Sequence, residues 1–94
     1  MATIGVLTLE IVLADAHSLK EKRHVVKSLK DRLRSKFNVA VAEIDYQDLW
    51  QRSVVAAVTV SSDHVQAEKV LQSVEGEAAA LLGSELAGAT VEWL

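Results

Sequence analysis

The sequence predicts one α+β domain in which four short strands alternate with two amphipathic helices. Three observations carry this expectation. Apolar residues recur at every second position in segments 4–13, 37–42, 52–61 and 89–94, and at every third or fourth position in segments 19–36 and 64–82. Each helical segment opens on a side chain suited to cap it. The 94 residues, 50% apolar and 24% charged, suffice for a single core; a chain of this size buries roughly 60 to 65% of its unfolded surface. One domain spanning 1–94 is expected.

Residues 4–13, IGVLTLEIVL, place Leu7, Leu9, Ile11 and Leu13 on one parity and Val6, Thr8, Glu10 and Val12 on the other, which describes a strand with one wholly apolar face. Ala14 to His17 then form a turn. Ser18-Leu19-Lys20-Glu21 fits a capping box, the Ser18 hydroxyl accepting from a first-turn amide and the Glu21 carboxylate reaching back to the cap. A helix is expected from Ser18 to about Lys36, with a seam of Leu19, Val26, Leu29, Leu33 and Phe37. Phe37–Ala42, FNVAVA, reads as the second strand and Arg52–Ser61, RSVVAAVTVS, as the third. In the third, Val54, Val58 and Val60 share the parity expected to face the core. Ser53, Val55, Ala57 and Thr59 are expected to face outward.

Between these strands EIDYQDLWQ exceeds a tight hairpin, so extended strand ends or a single helical turn capped by Asp45 are expected. Asp63 with Gln66 repeats the capping signature, and Val70, Leu71, Val74, Ala78, Leu81 and Leu82 form the stripe of a second helix that Gly83 stops. Gly76 within it costs about 1 kcal/mol against alanine, and is either a close-packing position or simply tolerated. Ala89–Leu94, ATVEWL, closes the chain as a fourth strand. This β-α-β-β-α-β order, with right-handed crossovers, predicts a ferredoxin-like split βαβ fold. Strands one and three are central in an antiparallel sheet, and both helices cover one face. The other face is left bare.

Several function classes are excluded or disfavoured. The absence of cysteine rules out disulfides and thiolate metal sites. Met1-Ala2-Thr3 carries no charged leader and no apolar run is long enough to span a bilayer, so a cytoplasmic protein with no membrane contact is expected. No P-loop, nucleophile elbow or HExxH pattern occurs, so no catalytic residue, cofactor or metal ligand is assigned.

The run from His17 to Arg23, with Val26-Lys27-Ser28-Leu29, Arg32-Leu33-Arg34, Lys36-Phe37-Asn38-Val39 and Ala42-Glu43, resembles the YlxP-like family of small bacterial proteins, a domain of unknown function. The resemblance spans essentially the whole chain. It implies a ferredoxin-like fold and a genomic setting among transcription and translation factors, including ribosome-assembly factors. It supplies no catalytic residues to carry over.

Three surface features remain as candidates. Eight of the ten Lys and Arg residues lie between Lys20 and Lys36 against only Glu21 and Asp31, so the first helix carries net plus six and the remainder minus nine. At 100° per residue Arg23, Lys27, Lys30 and Arg34 form one stripe, with Lys20 at its edge. Such a stripe suits the phosphate backbone of RNA, possible partners being RNA or a ribosomal particle; a solvated helix face and an acidic protein partner are the alternatives.

The bare sheet face lacks the aromatic platform that single-stranded RNA would stack on, and it is short of charge. A homodimer packing sheet on sheet, through Val6, Thr8, Val12, Val55 and Ala57, would cover it; the alternative is small residues tolerated in water. Trp50 and Trp93 would either extend that contact or belong to the core.

The third feature is the loop end, where topology gathers Asp15, His17, Asp45, Tyr46 and Asp48, as a divalent-cation or acid-base site or as ordinary turn chemistry. His64 is expected at the opposite end and His24 on the outward side of helix one. Acylphosphatase chemistry is set aside, because Ala14-Asp15-Ala16-His17 replaces its glycine-rich, arginine-bearing phosphate loop. The favoured function is therefore a non-enzymatic binding module. A protein adaptor and a small metal-dependent enzyme stand as alternatives.

Overall fold

The computed structural model describes residues 1–94. Its elements are β1 (Thr3–Val12), α1 (Leu19–Lys36), β2 (Ala40–Asp45), β3 (Arg52–Ser61), α2 (His64–Leu82) and β4 (Leu86–Trp93), with a 3₁₀ turn at Gly83–Glu85. The four strands form one sheet in the order β2-β3-β1-β4, every pairing antiparallel. This is the expected ferredoxin-like topology.

Both helices start where their caps predict. Ser18 Oγ accepts from the Glu21 N–H at 3.1 Å, and the Glu21 carboxylate accepts from the N–H of His17, one residue ahead of the cap. Asp63 Oδ1 accepts from the Val65 N–H at 2.9 Å and opens α2. Gly83, at φ 57°, closes it in the left-handed region that glycine enters without a side-chain clash. Strand boundaries shift from expectation. Phe37 caps the end of α1, its N–H donating to Leu33 O, so β2 begins only at Ala40. It then runs to Asp45 through a bulge after Glu43. There the Asp45 carboxylate accepts from the Tyr46 N–H at 2.8 Å and holds a turn with Tyr46 at φ 59°, where a helical turn had been an option.

The core lies between the sheet and the two helices. Leu7, Leu9, Ile11 and Leu13 of the β1 segment, Val26, Leu29 and Leu33 of α1, and Leu71, Val74 and Ala78 of α2 are all buried. The third strand requires a correction. Its register pairs Leu7 with Ala57, Leu9 with Val55, Ile11 with Ser53 and Gly5 with Thr59. Residues directly opposite in an antiparallel ladder share a face, so these four β3 residues lie under the helices and Val55 and Ala57 are fully buried core. They are not available to a partner. Val54, Ala56, Val58 and Val60 face the open side instead.

The physical reason is that both parities of this strand are apolar enough to be buried, so alternation does not choose between them. The two hydroxyls on the buried side are satisfied: Ser53 donates to Glu43 Oε2 at 2.6 Å and Thr59 donates to Asn38 O at 2.9 Å. At the far end of β1, Trp93 lies across Gly5. A Cβ at that glycine would stand 2.5 Å from the indole and 2.8 Å from Leu71 Cδ1, so only glycine admits this packing.

Candidate nucleic-acid interface

Helix α1 sits beside the edge strand β2, and its charges divide by what they touch. Lys22 is wholly buried: its ammonium is 2.9 Å from Glu43 Oε2 and donates to Tyr46 O. Glu43 in turn accepts from Ser53 Oγ, so helix, edge strand and central strand meet at one polar node with no buried side-chain polar atom unpartnered. This lysine was not among the expected site residues. The signal was present, since Lys22 stands four residues before Val26 on the seam that continues through Leu29 and Leu33.

Arg32 and Lys36 converge on Glu77 of α2 at 3.2 and 3.1 Å. The Lys36 hydrogen bond, with that of Arg32, holds the Glu77 carboxyl below the usual glutamate range. Lys27 pairs with Asp31 at 2.7 Å, and its hydrogen bond likewise lowers the Asp31 carboxyl. Both partners of that second pair are largely exposed, so it is screened and worth little to stability.

The expected stripe is assembled in part. Arg23, Lys27, Lys30 and Arg34 line one shallow groove of about 290 Å³, with Val26 and Asp31 of the same helix and Glu43 of β2. Arg34 Nη2 donates to Val41 O at 2.6 Å, which fixes the guanidinium on the edge of the sheet; it forms no close ion pair, and its charge is felt by the Asp31 carboxylate in the same groove. Lys20 lies outside this groove, beside Glu21, His24 and Val25. Including Glu43 and Glu77, the two acids that pair with α1 from other elements, lowers the helix from plus six to plus four. The local field is positive on a chain whose total is −3.

The loop end does come together, but not as a site. Leu13 N–H donates to Gln51 O at 2.9 Å and Gln51 Nε2 donates to Ala14 O at 3.2 Å, tying the β1–α1 loop to the β2–β3 loop. Asp15, His17, Asp45 and Asp48 nevertheless do not form a metal centre, since no group of three or more His, Asp or Glu side chains is arranged to hold an ion. Asp45 is committed to the Tyr46 amide, and the Tyr46 ring lies 4.6 Å from the Arg52 guanidinium. The metal-dependent alternative loses its geometry. His24 is exposed on α1, and the ring of His64, at the other end, lies against Trp93 with centroids 4.3 Å apart and planes tilted by 51°.

The open face carries Ile4, Val6, Thr8, Glu10 and Val12 of β1 and Val54, Ala56, Val58 and Val60 of β3, flanked by Ala40, Ala42, Thr90 and Glu92. No aromatic residue stands on it. Trp93 is on the helix side over Gly5, Phe37 packs against the core, and Tyr46 and Trp50 belong to the β2–β3 loop. Trp93 therefore does not extend the bare face.

These features define a ferredoxin-like domain with a basic helix and an uncovered sheet. Solved structures agree on the fold. A protein from Bordetella bronchiseptica assigned as an antibiotic biosynthesis monooxygenase superposes with a TM-score of 0.57 at 14% identity, covering 100% of this chain and 96% of that one. A de novo designed protein with a ferredoxin fold superposes at 0.50 and 15% identity, covering 100% and 84%. Residues 4–90 match the family described as "Protein of unknown function (DUF503)", and the chain belongs to that family. It is 51% identical over 71 residues to the uncharacterized protein YlxP of Bacillus subtilis, 76% of this chain and 77% of that protein. No helix is long and apolar enough to cross a membrane.

Proposed function

We propose that this chain is a non-enzymatic binding module that docks on RNA through helix α1. One observation carries the proposal: Arg23, Lys27, Lys30 and Arg34 line a single groove against the edge of β2. Cations held at helical spacing follow a phosphate backbone, and each one that neutralises a phosphate releases a condensed counterion. Arg34 is pre-positioned by the Val41 carbonyl, so little side-chain freedom is lost when it meets a phosphate. The family resemblance supports RNA over other polyanions, because it implies genes of translation and ribosome assembly as neighbours. Recognition is of backbone shape, since the sheet offers no aromatic on which a base could stack.

Charge reversal tests the groove. Binding of a fluorescent ribosomal RNA fragment is compared for the parent chain, K27E/K30E and K69E, the last placing a reversed charge on α2 away from the groove. The expected result is a loss of at least about tenfold for the double variant and little change for K69E. A loss in K69E about half as large on a logarithmic scale would mean that net charge alone governs binding, since the double variant changes twice the charge, and unchanged binding in the double variant would remove the groove from the account.

A further inference from the structure

We infer that the open sheet face is the seat of a second copy of this chain, packed sheet on sheet about a two-fold axis. Its centre is the Val6–Val58 pair of β1 and β3, and no charged residue stands beside them on those two strands. Glu10, the one acid on the central strands, bends toward β4: its Oε2 would lie 2.8 Å from a Cβ at Gly88, which shows that the carboxylate rests over that glycine and away from the β1–β3 centre. The other acids registered with this face stand on the two edge strands, Glu92 of β4 opposite Val6 and Asp45 of β2 opposite Val54, against a single cation, Arg52, whose guanidinium is drawn over Tyr46 at the sheet's end. An apolar centre with an acidic margin repels anionic lipid and nucleic acid alike.

Area favours the same occupant. Four strands at about 4.8 Å spacing, averaging roughly eight residues at about 3.3 Å each, present a plane of roughly 500 Å². Two such faces together bury about 1,000 Å², the size at which a specific interface becomes credible. Relief of the side chains, with Ile4 36% and Val60 55% exposed at one end and Val12 39% exposed at the other, adds to that figure. A two-fold pairing sets like surface on like, and sheets of branched and small residues meet about 10 Å apart. The helices stay on the outside of such a dimer, so the α1 groove remains accessible and the two surfaces can fail independently.

Sedimentation velocity tests the inference on the whole chain. At tens of micromolar the parent is expected at twice its 10.2 kDa mass, with dissociation on dilution. Val58→Lys, at the centre, and Val60→Lys, at a position already 55% exposed, are expected to give monomers with unchanged far-ultraviolet circular dichroism. Should Val58→Lys fail to fold, Val60→Lys still reports on the seam. A parent that stays monomeric at this concentration, a dimer that persists in both variants, or flotation of the parent with phosphatidylcholine vesicles would overturn the inference.

Discussion

Lys22 is the residue whose charge matters most to the fold. A buried ammonium is expensive to desolvate, and here it is repaid by Glu43 and by the Tyr46 carbonyl. Removing one partner strands the other. Lys22→Met should cost about 3 kcal/mol in urea unfolding at neutral pH, and the triple variant K22M/E43L/S53A, which also removes the buried hydroxyl that donates to Glu43, should regain most of that loss. A single-variant cost below about 1 kcal/mol would show that Glu43, 16% exposed, is already solvated enough to stand alone. Lysine at a seam position was counted with the solvated cations, because residue type spoke for exposure and spacing spoke for burial, and spacing won.

Among the elements, α1 and α2 were the most legible, since caps at Ser18 and Asp63 and a 3.6-residue apolar period agree with each other. The glycine inside α2 can now be decided. A Cβ at Gly76 would meet nothing within 4 Å, so close packing does not explain it. Gly76→Ala should therefore stabilise the domain by about 0.5–1 kcal/mol, raising the thermal midpoint by a few degrees; a lowered midpoint would mean that the helix needs freedom at this point. Strands were less legible. In β1 one parity is wholly apolar and settles its own orientation, whereas β3 offers valines on both parities and takes its orientation from pairing with β1. The inversion removed Val55 and Ala57 from the bare face and put Val54, Ala56, Val58 and Val60 there, which makes that face more apolar than expected.

At the scale of the molecule, three surfaces carry different chemistry: a basic groove along α1 and β2, an apolar sheet face, and a loop end where Asp45 holds a turn. The first was readable in advance because charge segregation is a property of the linear sequence. What pairs with each cation was not readable, because Glu43 and Glu77 come from other elements and meet α1 only after folding. The loop end failed as a site for a similar reason: topology brings the loops together, but side-chain direction decides whether carboxylates converge. Docking on RNA through α1 is the central claim, and its most direct test is the salt dependence of binding to a ribosomal RNA fragment. With three or four cations displacing counterions, the logarithm of the association constant should fall against the logarithm of salt concentration with a slope of about −3. An affinity that does not change with salt would contradict the account.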